Sequence, residues 1–137
     1  MLKSNRRKFL ASAFFLGIAG KIFGQDKQKP KADKTMIVHH VFFWLKNAGN
    51  EADRAKLLEG LRTLAAIKHV SKLQVGIPAS TEKREVVDNS YDVSELMYFE
   101  SLEAQAAYQK DPIHLKFVEN YSHLWAKVVV YDMNVVS

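Results

Sequence analysis

Two strand-like segments of this chain are apolar on both faces, and this constrains its fold more than any other feature. Met36 to Leu45 reads as the first strand, with Val38, His40, Phe42 and Trp44 on one side and Ile37, His39, Val41, Phe43 and Leu45 on the other. Ala126 to Val135 reads as the last, with Val128 and Val130 opposed to Val129, Tyr131 and Met133. Successive side chains of a strand alternate between faces, so each segment needs apolar cover on both sides. The intervening chain supplies cover for only one.

Glu51 to Ile67 has Leu57, Leu58, Leu61, Leu64 and Ala65 on one stripe at helical spacing, with charges opposite. Val70 to Ile77 is a second strand, halted by Gly76 and Pro78, and Ala79 to Ser90 is a long polar loop. Val93 to Glu100 is a third strand, followed by helices over Leu102 to Lys110 and Pro112 to about Leu124. The order strand, helix, strand, strand, helices, strand is that of an α+β, ferredoxin-like, four-stranded antiparallel sheet with helices on one face. A second copy of the sheet is the simplest cover for the other face. The expectation is therefore a homodimer with two-fold symmetry, its sheets packed face to face as a dimeric α/β barrel.

Residues 1–24 read as a targeting segment outside the fold. Adjacent Arg6 and Arg7 precede an apolar run from Phe9 to Gly20, about 12 residues and too short to span a bilayer as a normal helix. The Arg-Arg, Lys8, Phe9-Leu10 order resembles a twin-arginine export signal, with an ordinary secretory signal as the alternative. Ile22-Phe23-Gly24 before Gln25 is the candidate cleavage site. Both readings place the protein outside the cytoplasm, in the periplasm, either free or tethered by an uncleaved leader. Residues 25–35 are a polar, Lys-rich linker, and residues 36–137 form one domain.

This division changes the meaning of the net charge of +5. Five of the 20 basic residues and none of the 15 acidic ones lie in the leader. The linker holds four lysines against Asp26 and Asp33, which leaves the domain with 11 basic and 13 acidic residues. A nucleic-acid groove needs a basic face, so that class of partner is disfavoured, and membrane contact is expected through the leader only. The absence of cysteine excludes disulfides, thiolate nucleophiles and a lipoprotein anchor.

The chemistry-bearing residues cluster between Phe99 and Phe117. A helix starting after Asp111 has Asp111 as N-cap, Pro112 at N1 and His114 at N3, the order that helix starts prefer. The positive end of the helix disfavours imidazolium, which suits His114 to accept a proton near neutrality. Tyr108, one helix break earlier, can offer a phenolic hydroxyl to the same space. His39 adjoins His40 but points to the opposite face, so the two cannot chelate one metal ion. No Gly-rich phosphate loop, His-Glu-x-x-His motif or paired-carboxylate arrangement is present.

His40-Val-Phe-Phe-Trp-Leu-Lys46, Leu57-Leu-Glu-Gly-Leu-Arg62, Val75-Gly76, Tyr91-Asp92, Phe99-Glu-Ser-Leu102, Tyr108, Pro112-Ile-His114, Phe117 and Val128-Val-Val-Tyr-Asp132 together resemble the stress-responsive A/B barrel (Dabb) family over residues 36–134. The resemblance implies a dimeric ferredoxin-like barrel. Through the family's plant polyketide cyclase, it also implies a site in which Tyr108 and His114 are catalytic and His40 lines the pocket. Phe42 and Trp44, aromatic residues on the same strand face as His40, are the further candidate ligand-binding residues. Asp111 stands where the cyclase has histidine, and its role here is the helix cap. The function expected first is binding of a small apolar or aromatic carbonyl compound by a homodimer. The alternatives are a cofactor-free cyclase, lyase or isomerase with His114 as base and Tyr108 as donor, and a structural or stress-protective dimer without turnover. None of these implies a cofactor or a metal.

Overall fold

The computed structural model describes residues 35–137, so the leader and most of the linker lie outside the described residues. The elements are β1 (Ile37–Leu45), α1 (Glu51–Thr63), β2 (Lys72–Gly76), β3 (Val93–Phe99), α2 (Leu102–Lys110), α3 (Pro112–Tyr121) and β4 (Trp125–Asn134). The strands form one antiparallel sheet in the order β2-β3-β1-β4. This is the ferredoxin-like α+β fold expected from the element order.

The helical face of the sheet is the odd-numbered one. Ile37, His39, Val41, Phe43 and Leu45 of β1 are buried there, beside Val93, Glu95, Met97 and Phe99 of β3. Leu57, Leu61 and Leu64 complete the core from the first helical segment, while Ala65 of the expected stripe is exposed. α1 stops at Thr63, earlier than the expected Ile67, because its last turn tightens into a 3-10 turn over Leu64–Ala66. Thr63 Oγ1 donates to Gly60 O there at 2.6 Å. Gly60 permits a close approach: a Cβ at this position would lie 2.8 Å from the Tyr121 ring.

Asp92 ties the start of β3 to the turn after β1. Buried, it accepts from Leu45 N and Gly49 N, both at 2.9 Å, while Arg54 Nη2 lies 3.7 Å away. Gly49 sits at φ 75°, a backbone conformation open to glycine without strain. Asn50 caps α1 by accepting from Asp53 N.

The opposite face carries Val38, His40, Phe42 and Trp44 of β1, opposite Met133, Tyr131, Val129 and Lys127 of β4. Tyr131 is 67% and Met133 57% exposed, so the single chain leaves part of an apolar sheet face in solvent. Ring contacts of Phe42 with His40, Tyr91 and Tyr131 make this face aromatic rather than merely apolar. Its loop-side end is held by Trp44 Nε1, which donates to Ser90 Oγ.

A cavity under the second and third helices

The break between α2 and α3 forms as its residues dictate. Asp111 accepts from Ile113 N at 2.8 Å, Pro112 occupies the first turn, and His114 follows at N3. The break turns His114 back onto Tyr108, and their ring centroids lie 4.5 Å apart. Tyr108 in turn packs against Phe99 and His39, at 5.1 and 5.9 Å. These residues border a cavity of about 130 Å³ between the helices and the sheet.

The cavity has an aromatic and aliphatic wall, in which Phe43, Phe117 and Trp125 face Val128 and Val130. Trp125 reaches this wall because the β1–β4 register shifts at Trp44/Leu45, which brings Trp125 opposite Leu45 and against Phe43 and Phe117. Val128 and Val130 lie on the helical side of β4 yet stay 37% and 44% exposed. The helices do not reach over this edge strand, and the gap gives the cavity its mouth. Its polar wall consists of His39, Glu95, Tyr108, Gln109 and His114, with no lysine or arginine.

Each polar group has a defined state. Burial holds the His114 imidazole below its ordinary pKa, against a smaller upward pull from Gln109 O. His114 Nδ1 lies 3.2 Å from that carbonyl, a contact that places the proton on Nδ1 and leaves Nε2 as a lone-pair acceptor. Burial, helped by nearby Glu95, pushes the Tyr108 phenol well above its usual range, so it remains a donor at neutral pH. His39 Nδ1 pairs with Asp132 of β4, the arrangement that orients an imidazole from behind. Glu95 is 3% exposed, its Oε2 has no hydrogen-bond partner, and burial pushes its carboxyl up to about 8.

The structure thus brings Tyr108 and His114 together and separates His40 from them. The expected pocket shared by His40, Tyr108 and His114 is corrected here: β1 alternation puts His40, with Phe42 and Trp44, on the opposite face of the sheet, and His39 takes the position beside Tyr108. Phe42 and Trp44 border a separate shallow depression with Asp88, Tyr91 and Tyr131. Burial and the neighbouring His39 lower the His40 pKa. Among the described residues no group of three or more His, Asp or Glu side chains could hold a metal ion.

Sequence reasoning passed over His39 and Glu95. Glu95 carried a visible signal, since it is the one charged residue in the Val93, Met97, Phe99 set of β3, which is otherwise apolar. That set pairs with the odd-numbered face of β1, and Val41 stands directly opposite Glu95.

The family model described as Dabb, Stress responsive A/B Barrel Domain, matches residues 37–135. Among solved structures, a Dabb family protein with a ferredoxin-like fold from Mesorhizobium loti is similar at 24% identity and TM-score 0.61, covering 75% of this chain and 99% of that one. A dimeric ferredoxin-like protein of unknown function from Thermobifida fusca matches at 18% identity and TM-score 0.59, covering 74% and 92%. The hydroxynitrile lyase of Passiflora edulis matches at 15% identity and TM-score 0.63, covering 75% and 95%. No curated protein matches the chain.

Proposed function

Since the chain belongs to the stress-responsive A/B barrel domain family, we propose that it is an exported homodimer that binds a small, uncharged, apolar or aromatic carbonyl compound in the cavity beneath α2 and α3. The observation that carries this reading is the pairing of Tyr108 and His114 at 4.5 Å on the wall of a cavity whose lining holds aromatic rings and no cation. A phenol donor and an imidazole acceptor at the edge of an apolar pocket suit a ligand with one polar end. An apolar cavity of about 150 Å³ takes a benzene ring, so 130 Å³ with an open side accommodates one ring and a short substituent.

Dimerisation is supported by the half-exposed Tyr131 and Met133 face and by dimeric relatives with this fold. Export is supported by Arg6-Arg7 before the apolar run, outside the described residues.

A catalytic reading of the same site rests on the free Nε2 of His114. That nitrogen can take the proton from a carbon beside the ligand's carbonyl. The C–H electron pair then forms the new C=C bond, the carbonyl π pair moves to oxygen, and Tyr108 donates to that oxygen; return of the proton reverses the step. The resemblance in fold to a hydroxynitrile lyase favours carbonyl-forming or carbonyl-consuming chemistry as the place to look.

The test is native mass spectrometry of the protein taken from its own cell envelope, alongside its His114→Ala variant. We expect a dimer starting after the leader and carrying a reproducible small-molecule mass that the variant loses. We also expect the variant to change stability by no more than about 1 kcal/mol, as for a partly exposed residue. A folded protein that carries no small molecule and takes up no aromatic ketone or aldehyde refutes the reading.

A further inference from the structure

Glu95 needs an explanation that the fold alone does not supply. It occupies the middle of β3, with Val41 and Val75 as its cross-strand neighbours, and every other residue of its strand face is hydrophobic. A leucine there would complete the core, whereas a carboxyl with a buried, unpartnered oxygen costs stability. Among the described residues, the cavity lining around it holds no lysine or arginine to compensate an anion. His39 faces it from β1, Tyr108 from α2 and His114 from α3, and Asp132 of β4 stands behind His39. The guanidinium of Arg54 on α1 is directed to Asp92.

We propose that the carboxyl of Glu95 works in its acid form as a hydrogen-bond donor to the ligand, forming with the Tyr108 hydroxyl a two-donor seat for a carbonyl oxygen and making the site selective for uncharged carbonyl compounds over carboxylates and amines. This inference rests on the carbonyl-binding reading above and names the residue that sets its specificity. A carboxylic acid kept neutral by an apolar site can donate to an oxyanion in the manner of a phenol. Two donors side by side on one oxygen stabilise the negative charge that develops there when a base removes an adjacent proton. The placement fits this division of labour, with Glu95 and Tyr108 as donors and His114, through Nε2, as the acceptor. A carboxylate ligand would lose its hydration without finding a cation. An amine would be drawn to Glu95 only if Glu95 were ionised.

Three probes of one ring size separate these cases: acetophenone, benzoate and benzylamine. Their binding to the full chain is measured by calorimetry and ligand-detected NMR from pH 6 to 9.5, with Glu95→Gln and Glu95→Leu as variants. The wild-type protein is expected to bind acetophenone at least tenfold more tightly than either charged probe at pH 6 to 7, and to lose about tenfold in acetophenone affinity as the pH rises through about 8, the value to which burial pushes Glu95. Glu95→Gln keeps a donor and should bind acetophenone with no such loss. Glu95→Leu should bind it about tenfold more weakly at pH 6 and stay flat with pH.

Benzylamine binding more tightly than acetophenone at pH 6 to 7 overturns the proposal, because Glu95 then acts as an anion where it should be the acid. So does a pH loss that persists in Glu95→Gln, which would assign the titration to a group other than Glu95. If none of the three probes binds to the wild type or to His114→Ala, the carbonyl-binding reading fails and takes this inference with it.

Discussion

Glu95 also sets a pH dependence of stability that can be worked out from its burial. Its carboxyl titrates near 4.5 when solvated and at about 8 in the folded protein, with burial as the cause. Between those values the folded state holds a proton that the unfolded state has released, so the protein becomes less stable as pH rises, by about 1.4 kcal/mol per unit. The full stabilisation is present below about 4.5 and has gone by the time the pH passes about 8. At pH 7 the accumulated loss is on the order of 3 kcal/mol, and from pH 5 to pH 9 about 4 kcal/mol. The open mouth of the cavity admits water to an ionised carboxylate, which makes these figures ceilings.

Glu95→Gln removes this titration while keeping the size and hydrogen-bonding type of the side chain. Urea unfolding of wild type and Glu95→Gln at pH 5, 7 and 9, at one fixed protomer concentration, isolates the effect, because every other titrating group is common to both. The variant should be close to wild type at pH 5 and more stable by up to about 4 kcal/mol at pH 9. His114 acts with the opposite sign. Burial lowers its pKa, so its contribution is lost as pH falls below the ordinary imidazole range, and it cancels between the two proteins. A difference between variant and wild type that is the same at pH 5 and pH 9, within about 0.5 kcal/mol, would falsify the claim that Glu95 is buried as the acid.

Two further outcomes test the scaffold. Tyr131→Lys combined with Met133→Lys places charge on the exposed sheet face and should convert the dimer to a folded monomer in analytical ultracentrifugation at micromolar concentration; a wild-type chain that is already monomeric under those conditions refutes the face-to-face packing. Asp92→Ala strips the acceptor from two backbone N–H groups and leaves the half-buried Arg54 without its carboxylate, so urea unfolding should show a loss of about 2–4 kcal/mol, against under about 1 kcal/mol if those donors find water.

The fold was legible because its determinants are local. Asp111, Pro112 and His114 in order specify a helix start whatever surrounds them, and the helix forms there with Asp111 as its cap. The ferredoxin-like class followed from element order, and all four strands lie within two residues of where periodicity put them. Helix ends were less legible, since the narrowing of α1 after Thr63 depends on where Leu64 and Ile67 find room in the core.

The site was half legible for a different reason. Local spacing brings Tyr108 and His114 together, but choosing between His39 and His40 requires knowing which face of β1 the helices cover. Both faces of β1 are apolar, one meeting the helices and the other bordering the exposed Tyr131 and Met133, so hydrophobicity along β1 cannot break the tie. The neighbouring strand can. In β3 the set Val93, Met97, Phe99 is the more apolar, the antiparallel register sets it beside the odd residues of β1, and this assigns His39 to the interior. The same parity leaves Glu95 as the one carboxyl inside that wall. A group that opposes folding at its own position thus stands beside a phenol and an imidazole in an open cavity, the placement that the proposed donor role requires.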